Sequence, residues 1–161
     1  MRLEYLNKDE KEIWLPRLFH LFYENMHPIV ADPAPYEQHM QEWICAISPA
    51  LEKAPRQVIL CLDGDRLAGF CMYYTRQNLL MVEELQIQKE YQSTSVFFSL
   101  CRFLGKNLPA GVRFLEAFAH RQNLTSQRLM GRLGMQIVDG EQIPGLVHLR
   151  GELRNTIFKG D

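Results

Sequence analysis

Residues Leu79 to Leu104 read LLMVEELQIQKEYQSTSVFFSLCRFL, and the fold follows from how that run is divided. LLMVEELQIQ has the composition and length of a strand, KEYQSTS is a short polar turn, and VFFSLCRFL carries apolar residues at helical spacing. At the period of two that a strand imposes, Met81, Glu83, Leu85 and Ile87 are expected to share one face. A carboxylate among three apolar residues is the anomaly, because a charge in apolar surroundings keeps its proton or finds a partner. A polar turn that opens a helix after a strand is where backbone N–H groups receive an anion. This run therefore offers a candidate base, Glu83, and a candidate phosphate cradle close behind it.

Upstream, RQVILCL and LAGFCMYYT are β-rich runs joined by Asp63-Gly64-Asp65, a strong hairpin signal, and Gln77-Asn78 makes the next short connection. Three strands thus run consecutively as an antiparallel meander. Downstream, Pro109-Ala110-Gly111 breaks the helix, and VRFLEAFA is a further strand in which Val112, Phe114, Glu116 and Phe118 alternate against Arg113, Leu115, Ala117 and Ala119. Strand, helix and strand in this order imply a right-handed crossover with the two strands parallel. HRQN opens a short helix, TSQRLMGRLG, with Asn123 or Thr125 as cap and Gly134 as stop. MQIV is a short strand, DGEQIPG a loop, LVHLRGEL a last strand and NTIFKGD a frayed tail.

Toward the N-terminus, MRLEYL alternates as a strand. Asn7 or Asp9 can cap the helix that follows, whose apolar stripe is Leu15, Leu18, Phe19 and Phe22. Pro16 places the start of its regular part nearer Trp14 than Asp9. MHPIVADPAP is a proline-rich loop, and a second helix carries Tyr36, Met40, Trp43, Ile44, Ile47 and Leu51, bounded or bent by Pro49 and Pro55. The order β, α, α, β, β, β, α, β, α, β, β describes an α+β domain spanning residues 1–161, a mixed and mostly antiparallel sheet of about seven strands flanked by four helices.

The composition narrows the classes of function. With 161 residues, 47% of them hydrophobic and 23% charged, the chain suits one packed domain. A formal charge of −1 with the 18 basic residues scattered argues against nucleic acid as a partner. The start, MRLEYLNKDEKE, lacks the apolar core of a signal peptide, and no apolar run approaches the roughly 20 residues of a membrane span. The four cysteines (Cys45, Cys61, Cys71, Cys101) lie in apolar periodic segments without CxxC spacing, so buried, reduced thiols and a cytoplasmic location are expected. His20, His27, His39, His120 and His148 show no metal-ligand spacing, so no metal is expected.

Two motifs, in this element order, resemble the GCN5-related N-acetyltransferase family. Val82–Gln92, VEELQIQKEYQ, is similar to the family's fourth strand and the turn after it. Asn123 to Met135, Asn-x-x-Ser-x-x-Leu-x-x-x-x-Gly-Met, is similar to the helix after its fifth strand. The resemblance covers nearly the whole chain and implies a fold in which acetyl-CoA binds where the fourth and fifth strands splay apart. It assigns the pyrophosphate to Gln92, Ser93, Thr94, Ser95 and Val96, pantetheine to the main chain from Leu85 to Ile87, and a cofactor contact to Asn123. Against the family's Arg/Gln-x-x-Gly-x-Gly/Ala turn, Ser95 replaces the first glycine and Phe97 stands at the second position. Glycine there lets a ligand approach the backbone closely. The Phe97 ring either fills the site or turns inward onto Phe98 and Leu100, and the hydroxyls of Ser93, Thr94 and Ser95 either meet phosphate or cap the helix.

The implied activity is transfer of an acetyl group from acetyl-CoA, as co-substrate, directly to a primary amine of a small molecule or peptide. Glu83 is the expected base, its acidity weakened by Met81, Leu85 and Ile87 unless it pairs with Arg113. A bulge in the strand would exchange its place with Glu84. The tyrosine that often serves as acid is replaced by Met130, leaving Tyr73, Tyr74 and Tyr91 as substitutes, with His120 and His148 as weaker candidates. The acceptor is expected near His27–Pro35 and the DGEQIPG loop, where Glu24, Asp32, Glu37, Asp139 and Glu141 are placed to hold a cationic amine. Neither nucleic acid nor membrane is an expected partner, and a homodimer is left open. The rival expectation is a catalytically degenerate relative that senses a ligand or binds a protein.

Overall fold

The computed structural model describes residues 1–53, 55–92, 95–138 and 143–155. The chain opens with β1 (Arg2–Tyr5), followed by α1 (Lys11–Met26), α2 (Tyr36–Glu52), β2 (Gln57–Asp63), β3 (Arg66–Arg76) and β4 (Leu79–Ile87). α3 (Val96–Lys106), β5 (Phe114–His120), α4 (Leu124–Arg132), β6 (Gln136–Ile137) and β7 (Leu146–Glu152) complete it. The expected α+β order holds. The strands form one sheet in the order β1-β2-β3-β4-β5-β7-β6. The β2–β3–β4 meander is antiparallel, and β4 pairs β5 in parallel across the α3 crossover.

The turns follow their residues. Gly64 takes φ 60° in the β2–β3 hairpin, where a side chain would be strained. Gln77 accepts φ 54° in the tight β3–β4 connection, uncommon for a residue with a Cβ. The Asn78 carbonyl after it receives the Arg113 and Phe114 N–H groups at 2.7 and 3.0 Å, which ties the start of β5 to the start of β4.

Side chains from both faces of the sheet build the core. β2 reads as an unbroken apolar run because it is covered on both sides. Val58, Leu60 and Leu62 join Phe70, Met72, Leu15, Leu18 and Leu21 beneath α1 and α2. Ile59 and Cys61 join Cys71, Leu80, Leu100, Leu104 and Leu115 beneath α3.

Three expectations need correction. α1 begins at Lys11, behind a 3₁₀ turn at Lys8–Glu10 capped by Asn7, and Pro16 lies inside it. The missing proline N–H deprives only the carbonyl of exposed Glu12, near the helix start, where water can answer it. α2 likewise continues through Pro49 to Glu52. Cys45 lies exposed on α2, whereas Cys61, Cys71 and Cys101 are buried. Ser93, Thr94, the loop at 139–142 with Asp139 and Glu141, and the tail at 156–161 lie outside the described residues. Among those described, no helix is long and apolar enough to cross a membrane.

Candidate active site

The site begins where the sheet stops being continuous. β4 and β5 pair only from Leu79↔Phe114 to Val82↔Ala117, although both strands run on. The next residue of β4, Glu83, has no partner on β3: Tyr73 pairs with Val82 and Met72 with Glu84. Glu83 is therefore the extra residue of a β-bulge, which bends its strand and adds local twist. Meanwhile β5 stays paired with β7 to its end, from Phe114↔Glu152 to His120↔Leu146. One strand turns and its neighbour does not, so they part. A cavity of about 450 Å³ opens between them, walled by residues 82–86 of β4, the end of β5, α1 and α4.

The bulge also redistributes the side chains of β4. Leu85 lies opposite Cys71, in the cluster under α3, and Glu84 lies opposite Met72, in the cluster under α1 and α2. Leu80, Val82, Leu85 and Ile87 consequently share the α3 face, and Met81, Glu84 and Gln86 the other. The expected single face of Met81, Glu83, Leu85 and Ile87 is thus incorrect, because one inserted residue reverses the alternation beyond it.

The two carboxylates at the bulge sit in different environments. Arg56 grips Glu83 through both Nε, at 2.5 Å, and Nη2, an arrangement in which the guanidinium also lies 5.2 Å from the Tyr74 ring. Glu83 thus has a cation as partner, and the cation is Arg56 rather than Arg113. Glu84 has none among the described residues. Its Oε2 accepts one bond, from Gln86 Nε2 at 3.0 Å, and Gln86 is held in turn by Asn25 of α1. Burial pushes the Glu84 carboxyl up to about 7; the Gln86 bond opposes that rise, and the negative charge of Glu83 adds to it. Both carboxylates line the cavity.

The backbone beyond the bulge faces the opening. Gln88 N–H bonds to Ala68 O at 2.9 Å, so by the alternation of an antiparallel ladder Ile87 and Leu85 turn their N–H and C=O groups away from β3, toward the splay. The Ile87 carbonyl already accepts two side-chain bonds, from Asn25 Nδ2 and Gln92 Nε2, each at 3.0 Å. Gln92 is therefore committed to β4. Ser95 is the residue before α3, and its side chain makes no capping bond. In the first turn of α3, Ser99 N–H bonds to Ser95 O at 2.9 Å. Val96 is buried, and Phe97 turns inward, packing in the core edge-on to Phe98 at 5.5 Å while lining the inner end of the cavity. Asn123 caps α4, its Oδ1 accepting Ser126 N–H at 3.1 Å, and also lines the cavity.

The proposed acids fall elsewhere. Tyr73 is buried and bonded to Tyr5 at 3.1 Å, Tyr91 donates to Asp63 at 2.7 Å, and neither lines the cavity; nor does Tyr74. Met130 does line it. His120 also reaches the cavity, and its Nδ1 accepts Gln122 N–H at 3.2 Å, which leaves the ring proton of the neutral form on Nε2. His148 lies outside, beside Glu116 at 3.1 Å and stacked on Phe118. Of the acids expected to hold the acceptor, Asp32 lines the cavity, whereas Glu24 and Glu37 do not.

Sequence reasoning missed Arg56, Asn25 and Tyr23. Arg56 meets Glu83 across β3, a contact that no local pattern announces. Asn25 and Tyr23 lie on α1 among residues that read as a core stripe, and a polar residue at the end of that stripe was the one available signal.

No family model and no curated relative matches the chain. Solved structures do. PaiA N-acetyltransferase from Thermoplasma acidophilum, in complex with coenzyme A, superposes with a TM-score of 0.72 at 14% identity, over 94% of this chain and 99% of that one. An acetyltransferase from Thermus thermophilus gives 0.71 at 19% identity, over 95% and 98%. Tetrahymena GCN5 gives 0.70 at 11%, over 94% and 96%. With its seven-stranded mixed sheet, its four helices and the parting of β4 from β5, the chain has the fold of the GCN5-related N-acetyltransferases.

Proposed function

We propose that the protein is an N-acetyltransferase that moves an acetyl group from acetyl-CoA directly to a primary amine. The observation that carries the reading is Glu84, a carboxyl in the cleft between β4 and β5 with no cation partner among the described residues, whose proton affinity is raised to about 7. A base is most useful when its proton affinity lies near the working pH. The relatives in fold add support, two of them having been crystallised with coenzyme A or acetyl-CoA.

In this reading the main-chain groups of Leu85 and Ile87 that face the splay hold the pantetheine arm, and the turn from Gln92 to Val96, with Ser93 and Thr94, takes the pyrophosphate at the α3 N-terminus. Asn123 borders the cofactor's reactive end. The amine nitrogen bonds to the thioester carbon, its proton passes to Glu84, the carbon–sulfur bond breaks, and coenzyme A leaves as a thiolate that takes a proton from water. Glu83, held by Arg56, is left out of the proton transfer, and its charge adds to the proton affinity of Glu84. A thiolate leaves readily enough that Met130 in place of an acid does not forbid the step.

Acetyl-CoA binding by calorimetry and thiol release with a panel of amines test the proposal. Binding and turnover are expected, with Glu84→Gln reducing kcat by about 10²-fold or more and removing the rise in rate through neutral pH. Absence of binding at millimolar cofactor sinks the reading. A second reading, a ligand-sensing module that no longer catalyses, is favoured by the missing turn glycines, by Met130 and by the occupied Ile87 carbonyl. Tight cofactor binding without turnover on any amine would select it.

A further inference from the structure

We infer that the acceptor carries its reactive amine on an apolar, preferably aromatic, body with no second positive charge, so that arylalkylamines are taken in preference to polyamines and lysine-bearing peptides. This deepens the transferase reading and rests on it.

The wall opposite β4 is apolar. Phe22, Tyr23, Met26 and Val30 come from α1 and the loop after it, and Phe118 and Leu146 from β5 and β7. The rings are held in place by their neighbours. Tyr23 stacks on His27 at 4.6 Å and meets Tyr36 edge-on at 4.8 Å, and Phe22 stacks on Trp43 at 6.0 Å. Fixed rings offer a ligand ring contact area with little ordering left to pay.

Apart from Glu84, negative charge without a cation beside it is confined to Asp32 among the described lining residues. Apart from Glu84, the carboxylates among the described lining residues are Glu83 and Asp32. Glu83 is closed by Arg56. Asp32 accepts the Ala34 N–H through Oδ1 at 2.8 Å and lies with Oδ2 3.8 Å from His39 Nε2. Away from Asp32, a polyamine or lysine side-chain neighbourhood brings a second cation that must lose its water against rings and aliphatic carbons. Contact with a ring face returns less than removing an unpaired charge from water costs. An uncharged aromatic body meets no such penalty.

The discriminating experiment compares phenethylamine with spermidine and with a short lysine peptide, by kcat/KM at saturating acetyl-CoA and by calorimetric binding to the protein with and without coenzyme A. Phenethylamine is expected to be favoured at least about tenfold in both measurements. Val30→Asp, which sets a carboxylate in the apolar wall, is expected to narrow that ratio about tenfold, with acetyl-CoA affinity read alongside to report folding. Turnover that favours spermidine or the peptide overturns the inference and leaves the transferase reading intact. If no amine releases thiol, the transferase reading fails, and the amine-binding arm alone decides the acceptor class: spermidine binding as tightly as phenethylamine, or more tightly, overturns it.

Discussion

Glu83 and Glu84 are adjacent, chemically alike and differently employed. One is answered by a guanidinium and the other by a single amide, and burial raises the proton affinity of Glu84. The displacement has a thermodynamic consequence that needs no substrate. The folded state holds the Glu84 proton at about 7 against an ordinary 4.5, so it binds that proton more tightly than the unfolded chain does. The associated stability is fully present below about pH 4.5 and is lost as the pH rises through about 7, amounting to up to about 3 kcal/mol. Glu84→Gln abolishes the titration. Urea unfolding at about pH 4 and about pH 8 should therefore show the variant gaining on the wild type at the higher pH by up to that amount. A difference that stays flat across the range would mean that Glu84 is not shifted. The sequence displayed both acids but not which one would be paired, because Arg56 reaches Glu83 from the far side of β3.

At the scale of elements, one residue of register decides the architecture of the cleft. The strands, the crossover and the parallel β4–β5 pair were legible from periodicity and turn residues. Periodicity does not mark the bulge, since the inserted residue has no distinctive composition; only the family resemblance raises the exchange of Glu83 with Glu84, and the alternation from Met81 to Ile87 holds only without it. Close approach of backbones supplies a second constraint farther along the same pair of strands. A Cβ on Gly69 of β3 would lie 2.8 Å from the Gln86 carbonyl of β4 and 3.3 Å from Ile87 Cγ1. Gly69→Ala must therefore push β3 off β4 there, at about 1–3 kcal/mol of stability. A thermal melt should register the loss, and acetyl-CoA affinity should fall with it; an unchanged melt would mean that the sheet absorbs the methyl without moving.

Across the whole molecule, α1 and α2 cover one face of β2 and β3 and α3 covers the other, so three of the four cysteines are enclosed. Burial pushes the Cys61 and Cys101 thiols up and the Cys71 thiol up to about 12, away from the reactive thiolate. In native protein a disulfide-exchange reagent should label Cys45 quickly, and Cys61, Cys71 and Cys101 only on unfolding. Rapid labelling of more than one thiol would mean that the α3 layer opens. The layer order was readable in the sequence, where β2 runs apolar on both faces. The walls of the cleft were not, because a ring that lines a cavity and a ring that fills a core occupy the same helical positions.

The Ile87 carbonyl gathers α1, β4 and the turn before α3 on a single oxygen atom, through Asn25 and Gln92. A carbonyl has two lone pairs, and both are spoken for. A donor arriving from the cleft must displace one of them, and if it displaces Asn25 it loosens the helix that also carries Phe22 and Tyr23. Occupancy of the strand groove and the shape of the apolar wall are then linked variables, and linkage is reciprocal: whatever a ligand in the groove does to affinity at the wall, a ligand at the wall returns in equal measure. A single oxygen of β4 in this way couples the groove between β4 and β5 to the rings that α1 presents to the cavity.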